Sequence, residues 1–173
     1  MIVFLLTGCR KTVNYNRQPV VTDTPESREY FGCRINGRSF ISEARTNNVK
    51  GSCSYVRTYS DNSHTFTIIS QKFDSNCGSA TITITLDSVQ LAAGQSYVLG
   101  KKAMRSSYAT YQFVAGCNQG AVEVGTSDVF TGMMNISSID YTKRVIKATF
   151  HFSTKDATGK DYSIADGYFD RHF

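Results

Sequence analysis

The chain has 173 residues, a formal net charge of +5, 40% hydrophobic residues and 12% aromatic ones. That length suits one domain with its own core, and that hydrophobic content argues against disorder along the whole chain. The 19 Lys and Arg residues are scattered, the longest basic runs being Arg10-Lys11 and Lys101-Lys102. A nucleic-acid-binding protein shows a dense basic stripe instead, so no nucleic-acid partner is expected.

Residues 2–6 (IVFLL) are apolar but far short of the ~20 residues a membrane-spanning helix needs, and no later segment comes closer. They read as the end of a secretory signal whose basic start is missing. The tetrad Leu6-Thr7-Gly8-Cys9 resembles the lipobox of bacterial lipoproteins. The resemblance implies cleavage before Cys9 and acylation of its thiol, with residues 1–8 a signal-peptide remnant. Acyl chains contribute ~0.8 kcal/mol per buried methylene, which makes the membrane the first expected partner. Residues 9–29 are polar, carry both prolines (Pro19, Pro25) and show no periodicity, so a flexible tether is expected there. Arg10, Lys11 and Arg17 suit anionic head groups beside the anchor.

From residue 30 onward the pattern is that of strands. The chain is rich in Thr, Ser, Tyr, Phe, Val and Ile and has 2 prolines and no tryptophan. Asn36-Gly37 between YFGCRI and SFISEA predicts a hairpin with a type I′ turn. Asp61-Asn62-Ser63 divides CSYVRTY from HTFTIISQKF. SATITITLD (79–87) alternates Ala80, Ile82, Ile84 and Leu86 with Thr81, Thr83, Thr85 and Asp87, the mark of a half-buried antiparallel strand. Residues 88–95 hold one helical turn at most. YATYQFVA (108–115) and GAVEVG (120–125) flank a tight loop. VIKATFHFST (145–154) alternates again, and Thr158-Gly159-Lys160 turns it into the last strand. Near Ala165-Asp166-Gly167 the apolar parity switches, which predicts a β-bulge with Gly167 at positive φ and Ile164 and Phe169 on one face. About ten short strands imply an all-β fold, an antiparallel β-sandwich over 30–173, with a flattened up-and-down barrel as the alternative.

Five cysteines less Cys9 leave Cys33, Cys53, Cys77 and Cys117. In an oxidising compartment an even remainder points to two disulfides with three pairings open. A simple meander would bring Cys53, Cys77 and Cys117 to one end, favouring Cys53–Cys77 with Cys33–Cys117. Zinc is disfavoured because there is no C-x-x-C pair and no histidine at ligand spacing, so neither metal nor cofactor is expected.

No nucleophile elbow, zincin helix, dinucleotide fingerprint or P-loop occurs. His64, His151 and His172 read as solvated or packed. Asp156, Asp161, Asp166 and Asp170 cluster near the C-terminus, where paired carboxylates would serve a glycoside hydrolase; polar hairpin residues explain them more simply. Among the ten tyrosines, Tyr97, Tyr108 and Tyr111 are ligand-stacking candidates.

The lipobox, the hairpin Ile35-Asn36-Gly37-Arg38-Ser39-Phe40, the segment Ala93-Gly94-Gln95-Ser96-Tyr97-Val98-Leu99 and the C-terminal pair Val145–Phe152 and Tyr162–Phe169 together resemble small Bacteroidota lipoproteins that carry a domain of unknown function. The resemblance covers about residues 30–173. It implies an envelope location and a sandwich-like fold, and it supplies no reaction. Acidic residues after the acylated cysteine accompany surface export in such organisms. Arg10-Lys11-Thr12 stands there instead, so an outer-membrane lipoprotein facing the periplasm is expected. The expected function is a non-catalytic binding or structural module for an envelope protein or glycan. The alternatives are a hydrolase using the C-terminal aspartates and a carrier of a small lipophilic ligand.

Overall fold

The structure is a computed structural model that describes residues 30–43, 49–57, 63–73 and 77–173. Cys9, the signal-peptide remnant and the tether at 9–29 lie outside the described residues, as does Asp61-Asn62 of the third turn. The described chain forms β1 (Tyr30–Ile35), β2 (Arg38–Glu43), β3 (Val49–Arg57), β4 (His64–Phe73), β5 (Ser79–Leu86), β6 (Ser96–Leu99), β7 (Tyr108–Val114), β8 (Val122–Gly125), β9 (Gly132–Asp140), β10 (Val145–Lys155) and β11 (Asp161–His172). All pairings are antiparallel. One sheet runs β2-β1-β11-β10-β9-β6 and the other β3-β4-β5-β7-β8. The two sheets form a sandwich and do not close into a barrel.

Alternation decides which face each strand buries. On β5, Ile82, Ile84 and Leu86 are fully buried, while Thr81 and Thr83 on the opposite parity remain half-buried. On β10, Ile146, Ala148, Phe150 and Phe152 turn inward, and Thr149 and His151 face solvent. The centre of the core is aromatic. Phe169 of β11 stacks on Phe31 at 6.1 Å within its own sheet and on Phe66 at 6.2 Å across the gap to β4. Burying each such ring contributes roughly 1.5–3 kcal/mol, so these contacts are a main tie between the layers.

The Asn36-Gly37 hairpin forms as its sequence predicts, with φ of 48° and 78°. Asn36 does more than turn the chain. Its Oδ1 accepts from the Ser163 N–H at 2.8 Å, so the hairpin tip is fastened to β11. The bulge in β11 is also present: Phe150 stands opposite Gly167 and Phe152 opposite Ile164. Ile164 and Phe169 are both buried in the core. The positive φ falls on Asp166 (51°), not on Gly167. Gly167 is required for a different reason, since a Cβ there would run into the carbonyl oxygen and ring of Phe150. Asp tolerates the left-handed region better than most residues, and this leaves the glycine for the close approach.

The described residues hold eleven strands, one more than the count of about ten from pattern. β6 has only four residues, and the parity of β9 breaks at a register shift opposite Lys147/Ala148.

The two ends of the sandwich differ. At one end, residues 87–95 cross from β5 to β6, and three tyrosines hold them. Tyr97 Oη donates to the Gln90 carbonyl at 2.9 Å, Tyr141 Oη to Leu91 at 2.6 Å and Tyr55 Oη to Val89 at 3.4 Å. Leu91 is buried beneath them. At the corner where the chain leaves β6 and β8, the Thr126 hydroxyl accepts from the Ala109 N–H at 3.0 Å and donates to the Gly100 carbonyl. The opposite end carries the β1–β2 and β10–β11 turns and stays open.

Candidate functional site

The open end contains a cleft of about 780 Å3 between the two sheets, within the usual span of small-molecule sites, roughly 300–1,000 Å3. β1 and β2 supply Ile35, Arg38 and Phe40; the end of β4 supplies Lys72 and Phe73; β7 supplies Tyr111 and Phe113; the last hairpin supplies Lys160 and Tyr162. Tyr111, Phe113 and Tyr162 form one connected surface. Tyr111 stacks on Phe113 at 5.3 Å, and Tyr162 lies against both at 5.6 and 5.4 Å. Tyr111 and Tyr162 are buried, Phe113 is half-buried and Phe73 is 39% exposed. Tyr111 and Tyr162 therefore back the surface and Phe113 presents it, while Phe73 lines the cleft from the end of β4.

The rim is cationic. Arg38, Lys72 and Lys160 all line the cleft, whose described lining includes no Asp or Glu. Among the described residues none of the three makes an ion pair. Lys160 Nζ sits 5.2 Å from the centre of the Tyr162 ring, a cation–π contact. The nearby Asp156 is occupied by its own turn. Its carboxylate accepts from the Thr158 hydroxyl at 2.6 Å, the Thr158 and Lys160 N–H groups at 2.9 and 3.0 Å, and the Tyr162 hydroxyl at 3.1 Å. Those donors, the Thr158 hydroxyl first, bring its pKa down from 3.8 to about 2, so it stays ionised throughout the neutral range.

A disulfide borders the cleft. Cys77 and Cys117 are bonded with their Cα atoms 4.7 Å apart, next to the lining residues Gly78 and Ala115. This corrects the expected pairs Cys53–Cys77 and Cys33–Cys117. Those followed from a simple meander in which all strands share one order. In fact β6 leaves for the other sheet, so β5 pairs directly with β7, and Ser79 faces Val114. Cys77 precedes the first of these and Cys117 follows the second, which puts both in the loops at one end. Cys53 sits in the middle of β3 opposite Ile68. Cys33 is buried on the inner face of β1, and both keep their thiols. Burial pushes the Cys33 thiol up to about 12, where it is protonated and inert at neutral pH.

Of the three tyrosines marked as ligand candidates, only Tyr111 lines the cleft. Burial and the neighbouring Cys33 raise its pKa above the ordinary tyrosine value. Tyr108, an odd number of residues away, faces the other side of β7, with Lys102 Nζ 5.5 Å from its ring centre. Tyr97 belongs to the other sheet and holds the crossing loop.

Three of the C-terminal aspartates make separate ion pairs. Asp161 pairs with Lys155 at 3.2 Å, Asp166 with Arg34 at 3.6 Å and Asp170 with Lys147 at 3.1 Å. Asp161 and Asp170 are nine residues apart on one strand, close to 30 Å at ~3.3 Å per residue, whereas glycoside cleavage needs carboxyl groups roughly 5–9.5 Å apart. His151 and Asp166 border a second hollow of about 590 Å3 on the outside of the six-stranded sheet. His64 stacks on Tyr55 at 4.9 Å at the plugged end.

Sequence reasoning missed Arg38, Lys72, Lys160, Phe73 and Phe113. The available signal was positional for four of them: Arg38 directly follows Gly37, Lys160 directly follows Gly159, and Lys72-Phe73 ends its strand, so these four stand where hairpins turn, whereas Phe113 lies within β7. No protein-family model, curated protein or solved structure matches this chain.

Proposed function

We propose that this chain is a cell-envelope lipoprotein of the kind found in Bacteroidota, anchored in the outer membrane through acylated Cys9 and facing the periplasm. In this reading residues 9–29 are the tether, and the sandwich is a non-catalytic binding module for an envelope protein or a glycan. The Cys77–Cys117 bond is the observation that carries the reading. Such a bond persists outside the reducing cytosol, and it agrees with export signalled by Leu6-Thr7-Gly8-Cys9. Binding rather than catalysis is favoured by an open cleft with a charged rim and by carboxylates that are each engaged separately.

Radiolabelled palmitate supplied to producing cells tests the anchor. The wild-type chain is expected to take up label and to fractionate with membranes, and Cys9→Ala to lose both properties. Label retained by Cys9→Ala, or none in the wild type, contradicts the anchor.

A further inference from the structure

The cleft at the open end has a chemical preference that can be read from its walls. Three cations converge on it without an acid in the described lining. The cations differ in kind. Arg38 offers a planar fork suited to a carboxylate or sulfate, and Lys72 and Lys160 act as mobile point charges. Beneath them lies a ring face: Phe113 of β7 is half-buried and held in place by Tyr111 beside it and by Tyr162 of the facing sheet, and Phe73 at the end of β4, 39% exposed, lines the same wall as Phe113. A surface of this kind receives a flat, weakly polar ring face bearing a negative charge at its edge. A pyranose that carries an acidic group has that shape and charge.

An extended acidic peptide is a poorer match. Such peptides add to an unpaired strand edge, where the backbone supplies hydrogen bonds. The cleft instead opens at strand ends, where the chain turns and Ser79 is paired with Val114, Ile35 with Arg38 and Lys155 with Asp161; of its lining strands β2 alone is a sheet edge. The cleft is also open to solvent beyond the hairpin tips, so a saccharide chain can continue outward from the bound unit.

We propose that the cation-rimmed cleft between the β1–β2 hairpin, the end of β4 and the β10–β11 hairpin binds an acidic saccharide, with Arg38, Lys72 and Lys160 on its anionic groups and Phe73 and Phe113 against its ring face. This deepens the binding-module reading and rests on it. The disulfide at Cys77–Cys117 holds together the two loops that border the mouth, which keeps the walls in position before the ligand arrives.

Calorimetric titration of the full chain tests the proposal with four probes: a galacturonate tetramer, its neutral methyl ester, a sulfated heparin-derived tetrasaccharide and a glutamate-rich peptide. The two acidic sugars separate carboxylate from sulfate as the preferred group. The expected result is binding of at least one of them, at least about tenfold weaker binding of the ester and the peptide, and weakening with added salt. The triple variant Arg38→Gln/Lys72→Gln/Lys160→Gln changes only exposed side chains, so it should keep the wild-type melting temperature and lose binding by about tenfold or more. Phe73→Ala should weaken the same sugar, and Lys143→Gln, away from the cleft, should leave it unchanged. The proposal is overturned if neither acidic sugar binds, if the ester or the peptide binds as tightly, or if the triple variant binds like the wild type. Palmitate labelling at Cys9 is read separately, so loss of the sugar site leaves the anchor result standing.

Discussion

Single side chains show how sequence chemistry sets local order. Thr126 is 5% exposed, and its one hydroxyl serves both the Ala109 N–H and the Gly100 carbonyl. Leaving the buried Ala109 N–H unpaired would cost about 1–3 kcal/mol, which explains a polar residue at a buried corner. Asp156 fills the matching role on the last hairpin, and here the effect has a pH signature. Its folded-state pKa lies below the unfolded value, so its stabilisation is complete above the unfolded pKa and is lost as pH falls through the folded one. The window runs from 3.8 down to about 2. Urea unfolding at a series of pH values should therefore show Asp156→Asn less stable than wild type at pH 7, with the difference shrinking across that window. A gap that stays constant down to the lowest pH would remove the carboxylate from the account of this turn. Neither residue is conspicuous in the sequence, because Thr126 sits in an irregular stretch and Asp156 reads as an ordinary turn acid.

At the scale of elements, the alternating strands and the Asn36-Gly37 hairpin were legible because each depends on neighbouring residues alone. β5 and β10 keep a period of two over most of their length, and burial follows it. The bulge in β11 was legible as a parity switch, yet the identity of the left-handed residue depended on Phe150 in the next strand, which local pattern does not carry. β9 was not legible. Met134 and Ile136 alternate inward, then the register shift opposite Lys147/Ala148 returns Ile139 to the core side, and the extra residue hides the period. The disulfide lay further out of reach, because it depends on β6 leaving one sheet for the other. Cys77 and Cys117 are 40 residues apart. Closing a loop of that length in the unfolded chain is worth about 4 kcal/mol at 25 °C in the chain-entropy treatment. Cys117→Ser should lower unfolding stability by about that amount, read as a shift of the urea midpoint. A midpoint equal to that of the wild type as isolated would mean that the bond does not form in the native protein.

At the scale of the whole molecule, the two layers are tied by aromatic residues through the middle, plugged by the 87–95 crossing at one end and left open at the other. That asymmetry is what makes a site. Its residues come from four separate places in the chain and meet only because the β1–β2 and β10–β11 turns share an end with the tips of β4 and β7. Sequence pattern could supply the strands but not this convergence, so the cations beside Gly37 and Gly159 read as solvated turn residues. The proposed location makes a consistent whole with the fold. A tether from Cys9 would hold the domain at the bilayer, and an oxidising compartment would maintain Cys77–Cys117 while core packing keeps Cys33 reduced.

Intact-mass analysis of the native protein from the membrane fraction, with and without an alkylating probe, tests that combination directly. The account predicts a chain that begins at an acylated Cys9, with Cys77 and Cys117 bonded to each other and Cys33 unlabelled until the protein is denatured. An unacylated chain with Cys77 and Cys117 both alkylated in the native state would contradict it.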